Sequence, residues 1–262
     1  MRFLLLVLAL GLAVPAQAQS TPPQPAALAS ARHMLDAGVA TNNPDSLLAA
    51  RAQLAVLANA DDASGHWATY YAALADYRLA YLFWSRDADR AGQHAASGAS
   101  ALEALRQEGS LPDPLPEESA ALLSALYSTQ MGLDASLGMT LGQKASMVTR
   151  EASRLAPANP RVQYVQAMSL ASTPAEWGGD PEQALELFRS SVEAFEAETP
   201  SGMAPRWGED EAYAWLGMTL LQRGELAEAR EAIEASEAIN PTSEFVQYKL
   251  KPWLASVEAD AQ

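Results

Sequence analysis

The chain has 262 residues and a formal net charge of −15, with 49% apolar and 19% charged residues. This composition favours a folded protein with a real core over a disordered chain. The negative charge would repel nucleic-acid phosphates and anionic lipid surfaces, so we expect neither as a partner. There is no cysteine, which excludes disulfides, thiol chemistry and lipid modification of a cysteine.

The N-terminus has the pattern of a cleavable signal peptide. Arg2 precedes an apolar run from Phe3 to Val14, which is too short to span a bilayer comfortably. The segment that ends at Ala18 has the small-x-small pattern that signal peptidase accepts. We predict a signal peptide over residues 1–18, a flexible leader over 19–24, and a periplasmic or secreted chain without stable membrane insertion.

The remaining sequence predicts an all-α protein. Alanine and leucine are abundant, while the β-branched residues that favour strands are scarce. Asn or Asp caps the free amides of a helix, and Pro fits the first helical position. Four such pairs predict helix starts, and Gln183 adds a capping-box-like partner to the third: Asn43-Pro44, Asn159-Pro160, Asp180-Pro181 and Asn240-Pro241.

The clearest internal repeat runs from Tyr213 to Pro241 and matches the tetratricopeptide pattern. Gly217 and Ala229 are small residues that allow two antiparallel helices to approach closely, and Gly224 supplies the turn between them. Weaker repeats precede it, with apparent insertions at residues 137–142 and 173–180, and a closing helix is expected from Thr242 to Glu258.

We therefore predict a single domain over residues 25–262. Its expected architecture is a tetratricopeptide-like α-solenoid of about five antiparallel helix pairs plus a C-terminal capping helix, curved around an inner groove. A plain helical bundle is the alternative, but it would not explain the fixed spacing of Gly and Ala.

Several short motifs are spread over most of the mature chain: the segment His66 to Ala73 with Arg78 beyond it, Asn159-Pro160-Arg161, Thr173-Pro174, Trp177-Gly178-Gly179 and Pro205-Arg206-Trp207-Gly208. Together they resemble a group of exported bacterial tetratricopeptide proteins. Asp180 departs from that pattern, since a third glycine is common at its position. The resemblance implies an exported helical-repeat fold and does not by itself imply an activity.

No motif of catalysis or cofactor binding stands out. His33, His66 and His94 lie on three different predicted helices without a second ligand at helical spacing. The acids at 117–118 and 209–211 lie at predicted helix N-termini, where they complement the helix dipole. We expect no metal, no cofactor and no enzyme activity.

Aromatic residues are the most informative side chains for function. Seven of them crowd the segment from Trp67 to Trp84, where most should be core while one or two line the groove. Trp177 and Trp207 lie beside glycines in predicted loops, either as plugs or as binding anchors. The candidate partner-binding residues are Tyr71, Arg78, Arg161, Trp177, Gly178, Gly179, Arg206 and Trp207.

The favoured function is that of an envelope scaffold or adaptor that binds a peptide or protein partner in the groove. The alternative is an accessory protein of an envelope transport system, which would hold a small hydrophobic ligand in an aromatic pocket. A polar groove open at both ends would favour the peptide, whereas a closed aromatic pocket would favour the ligand.

Overall fold

The computed structural model describes residues 24–260. The predicted signal peptide and residues 19–23 of the predicted leader lie outside the described residues, so both stay predictions. Within residues 24–260, no helix is both long enough and apolar enough to cross a membrane.

The described residues form eleven α-helices and no strand, which confirms the predicted all-α solenoid of helix pairs. Ten helices form five consecutive pairs, and a short π-helix (Val246–Leu250) leads into the closing helix α11 (Lys251–Asp260). The pairs are α1 (Gln24–Ala40) with α2 (Pro44–Leu57), α3 (Ala63–Phe83) with α4 (Ala88–Leu105), α5 (Leu115–Leu133) with α6 (Gly138–Leu155), α7 (Pro160–Ser172) with α8 (Pro181–Ala197), and α9 (Glu209–Arg223) with α10 (Leu226–Ile239).

The pairs stack as two layers. The first helices contact one another from pair to pair, α1 with α3, α3 with α5, α5 with α7 and α7 with α9. The second helices α2, α4, α6 and α8 contact chiefly the helices before and after them. The first helices therefore form the inner layer, as expected for a solenoid in which each repeat packs on its neighbours.

Three of the four predicted Asn-Pro or Asp-Pro helix starts are confirmed. The side chains of Asn43, Asn159 and Asp180 each accept from two backbone amides of the first helical turn. The fourth prediction is wrong, because Asn240 ends α10 and its side chain accepts from the Thr242 amide in a turn. Its amide group donates to Asp210 Oδ2 at 2.8 Å, which ties the end of α10 to α9 instead of starting a helix.

The predicted insertion at residues 137–142 is also wrong. Asp134 caps a single 3-10 turn (Ala135–Leu137), and α6 begins directly after it at Gly138. Gly138 adopts ordinary right-handed helical geometry, so the glycines of this segment continue the helix rather than interrupt it. By contrast, the close contact predicted at Gly217 is confirmed, since a Cβ there would lie 2.7 Å from Ile233 Cγ1.

The segment between α8 and α9, residues 198–208, crosses to the start of the solenoid. Arg32 of α1 donates to the carbonyl oxygens of Gly202 and Ala204 at 2.8 and 2.9 Å, and Tyr71 of α3 donates to that of Met203 at 2.7 Å. Trp207 follows and lies buried between α3 and α7. This crossing loop fills one part of the inner surface.

Candidate ligand-binding groove

The open part of the inner surface is a groove of about 2450 Å³. It is lined by residues around the α1–α2 turn, by parts of α3, α5, α6, α7 and α9, by the loop after α7, and by the segment from Asn240 to Lys249. Pockets that hold ordinary small molecules measure roughly 300 to 1,000 Å³, so this groove has room for a large ligand. An ion pair between Arg86 and Glu244 joins the α3–α4 turn to the C-terminal segment beside it.

Aromatic and methionine side chains are concentrated in the groove. Its six aromatic residues are Tyr81, Trp84, Trp177, Trp215, Phe245 and Tyr248. Five of the seven methionines among the described residues also line it: Met131, Met139, Met147, Met168 and Met218. Methionine is flexible and polarisable, and it packs favourably against aromatic rings, so this lining can adapt to the shape of an apolar ligand.

Much of this apolar lining is exposed to solvent. Trp177 is 72% exposed, Met139 82% and Tyr248 80%, and Met147 and Trp84 are also exposed. These five are most of the large apolar residues exposed in the described part of the chain; the other three are Val56, Leu155 and Ile239. Exposed large apolar side chains that line one groove are a common mark of an interaction or ligand-binding site. The groove is therefore the candidate functional site.

A buried ion pair forms part of the groove floor. Arg78 Nη1 lies 3.0 Å from Glu211 Oε1, and Tyr77 donates to the same oxygen at 3.0 Å. Glu211 Oε2 is buried without a hydrogen-bond partner among the described residues. Burial raises the pKa of Glu211 to about 7, although Arg78 opposes the shift. The carboxyl therefore changes charge near neutral pH.

Three of the eight predicted site residues come together in the groove. Arg78 lies on its floor, and Trp177 and Gly178 lie on its rim. Gly178 has a φ of +95°, a backbone conformation that suits glycine and turns the loop after Trp177. Gly179 does not line the groove. A Cβ there would lie 1.7 Å from the Thr173 carbonyl oxygen, so glycine is needed for the close backbone contact that shapes this loop.

The structure places the other four predicted residues outside the groove. Tyr71 is buried against the crossing loop, and Arg206 is an exposed residue of that loop. Trp207 is 3% exposed and donates from Nε1 to the Tyr70 hydroxyl at 2.7 Å. Arg161 is buried in a cluster with the carboxylates of Glu118 and Glu198. Their predicted role in partner binding stays a prediction.

Sequence reasoning missed the methionines, and it missed α6 as a groove wall. Met139, Gln143, Met147, Arg150 and Arg154 follow one another at intervals of three or four residues and all line the groove. The spacing is that of one helix face, and it was visible in the sequence. The insertion predicted at residues 137–142 hid it, because it removed the first turn of this helix.

The three histidines lie elsewhere. His66 pairs with Glu108 and His94 with Asp76, both at 2.7 Å, and none of the three lines the groove. Among the described residues there is no group of three or more His, Cys, Asp and Glu side chains placed to hold a metal ion.

The fold and the groove define an all-α solenoid with an apolar, methionine-rich inner surface. Among solved structures it is similar to the HusA haemophore from Porphyromonas gingivalis, with 30% sequence identity and a TM-score of 0.54. The similarity covers 75% of this chain and 90% of that one. No protein-family model matches the chain, and no curated protein matches it.

Proposed function

We propose that this protein is a carrier that binds a large, flat, hydrophobic ligand of the porphyrin type in the groove, without catalytic activity. The observation that carries the proposal is the exposed aromatic and methionine lining of a groove far larger than a drug-sized pocket. The similarity to a haemophore, a protein that carries haem, supports the same ligand class.

The apolar ring, rather than the iron, is expected to supply the affinity. The groove offers no histidine; methionine sulfur, the phenols of Tyr81 and Tyr248, and carboxylates that already contact arginines are the available iron ligands. Burial raises the pKa of Tyr81 to about 12, so its hydroxyl keeps its proton at neutral pH and is a poor iron ligand. A metal-free porphyrin should therefore bind nearly as well as haem.

The peptide or protein partner remains the second candidate function. Its support is the size and position of the groove, because the inner surface of a solenoid is the usual place for an extended partner. The apolar lining weighs against a peptide partner, because a groove that binds a peptide is expected to have a polar lining. Export to the cell envelope is part of either proposal and rests on the N-terminal sequence.

A titration of the purified protein with haemin and with metal-free protoporphyrin tests the proposal. Trp84, Trp177 and Trp215 line the groove, so either ligand should quench tryptophan fluorescence at a stoichiometry of about one, with similar dissociation constants in the micromolar range or below.

A Met139→Ala/Met147→Ala variant should weaken both ligands about tenfold or more, because it removes two exposed apolar contacts. Val56→Ala is the matched control, since Val56 is equally exposed but lies outside the groove. Absence of saturable binding by the wild-type protein, or equal losses in the two variants, would refute the porphyrin carrier.

A further inference from the structure

The charged residues of the groove differ in balance from those of the whole chain. The chain has 32 acidic and 17 Lys and Arg residues. Four acidic and four basic residues line the groove: Glu151, Asp210, Glu211, Glu244, Arg78, Arg150, Arg154 and Lys249. In a protein this acidic, an even balance is a local enrichment of positive charge.

Each acid of the groove already contacts an arginine. Glu151 pairs with Arg106 at 2.7 Å, and Glu244 pairs with Arg86. Asp210 and Glu211 both lie beside Arg78. Every groove carboxylate therefore has an arginine beside it, and Asp210 and Glu211 share the single charge of Arg78.

Arg150 and Arg154 have no such partner. Neither forms an ion pair in the part of the chain that the structure describes, although Arg150 donates a hydrogen bond to the hydroxyl of Ser146. Both are exposed, and they lie one helical turn apart on the face of α6 that carries Met139 and Met147. Like charges at this spacing repel each other, so their position costs local stability.

A helix-dipole role explains only one of the two. Arg154 lies in the last turn of α6, where a cation complements the dipole. Arg150 lies a turn earlier, where that effect has faded. A ligand anion would remove the repulsion between both guanidinium groups, and guanidinium is the side chain best shaped to bind a carboxylate through two hydrogen bonds.

We infer that Arg150 and Arg154 form an anion-binding subsite of the groove, which takes the carboxylate groups of an otherwise hydrophobic ligand. The inference rests on the proposed function and specifies its ligand as an amphiphile. Its apolar body would lie against Met139, Met147 and Trp177, while its carboxylates reach the C-terminal half of α6. Polar neighbours are present there, since Ser153 donates to Gln166 Oε1 of α7 at 2.8 Å.

Protoporphyrin IX and its dimethyl ester provide the test, because they share the ring and differ in the two carboxylates. The wild-type protein should bind the free acid at least tenfold more tightly than the diester at low salt, and added salt should reduce this preference. The Arg150→Gln/Arg154→Gln variant should bind both with the affinity that the wild-type protein has for the diester.

Arg189→Gln/Arg230→Gln is the matched control. It also removes two positive charges, but from α8 and α10, which do not line the groove. The preference for the free acid should therefore remain. If the wild-type protein binds both ligands equally, or the α6 variant keeps the preference, the subsite is refuted while the carrier proposal stands. If neither ligand binds, the carrier proposal fails as well.

Discussion

Two loops of this protein carry the same Trp-Gly signature and have opposite surroundings. In the crossing loop, Trp207 precedes Gly208 with a φ of +102°; on the groove rim, Trp177 precedes Gly178 with a φ of +95°. The ring of Trp207 packs against Tyr77 and Tyr164 and is buried, whereas Trp177 is left exposed. The same local backbone therefore serves the core in one loop and, we propose, the ligand in the other.

The charges beside the two loops differ in the same way. Beside Trp207, Arg161 is fully occupied by the carboxylates of Glu118 and Glu198. On the α6 wall of the groove that Trp177 also lines, Arg150 and Arg154 are exposed and form no ion pair among the described residues. A satisfied buried arginine stabilises a fold only as part of its cluster, while an unsatisfied exposed arginine can serve binding.

The largest expected effect is a difference in the free energy of unfolding between variants of these arginines. Arg161→Ala should lower the free energy of unfolding by about 3 to 5 kcal/mol, because it leaves the buried Glu118 carboxylate without its partner. Arg154→Ala should change it by less than about 0.5 kcal/mol, as an exposed substitution. Urea unfolding measures both, and similar losses in the two variants would break the distinction.

A smaller loss is expected from the buried tryptophan. Trp207→Phe removes the hydrogen bond from Nε1 to Tyr70 and part of the ring volume, so it should destabilise by about 1 to 3 kcal/mol. Porphyrin affinity measured at a temperature where the variant is folded should stay within about twofold of the wild type. A large loss of affinity in a folded Trp207→Phe protein would place this loop in the binding site.

Trp177→Ala should do the reverse. The ring of Trp177 makes no aromatic contact among the described residues and is 72% exposed. Its removal should therefore change the free energy of unfolding by less than about 0.5 kcal/mol. Porphyrin affinity should fall about five- to thirtyfold, the range for one aromatic contact of 1 to 2 kcal/mol. Calorimetric titration checks the affinity, and unchanged binding would remove Trp177 from the groove's function.

The crossing loop and the groove meet at Glu211, whose pKa is raised by burial to about 7. An unfolded Glu releases its proton near its ordinary pKa of 4.5, while the folded protein keeps it up to about 7. The folded state binds more protons between these values, so this residue makes stability fall as the pH rises from about 4.5 to 7.

Thermal unfolding at pH 5 and pH 8 measures this contribution. Between pH 5 and pH 8, the melting temperature of Glu211→Gln should fall less than that of the wild type, because an amide cannot release a proton. Glu228→Gln, a change at an exposed carboxylate on α10, should leave the pH dependence as in the wild type. An unchanged slope in Glu211→Gln would show that the carboxyl is already ionised at pH 5.

The sequence predicted the fold better than the groove, for a physical reason. Helix caps and close Gly–Ala contacts are local or lie within one repeat, so Asn43, Asn159, Asp180 and Gly217 could be identified from spacing alone. The burial of a loop tryptophan depends instead on partners far along the chain. Trp207 reaches Tyr70 across 137 positions, and no local pattern separates it from Trp177.

The groove wall was missed for a different reason. Residues 137–142 were predicted to be an insertion, yet Gly138 and Gly142 both lie within α6, where packing against α5 and α7 outweighs the weak helix propensity of glycine. Had α6 been extended to Gly138, the stripe from Met139 to Arg154 would have appeared as one face. Glu211 was treated as an acid at a helix N-terminus, and its buried pairing with Arg78 depends on the contact between α3 and the start of α9.

Oxidative footprinting of the methionines tests the central claim most directly. Hydroxyl radicals oxidise exposed methionines, and mass spectrometry measures each site with and without protoporphyrin. We expect the ligand to protect Met139 and Met147 in the groove and to leave Met34 and Met203, which lie outside it, unchanged. Unchanged oxidation of Met139 and Met147 under saturating ligand, or protection confined to Met34 and Met203, would contradict a porphyrin in this groove.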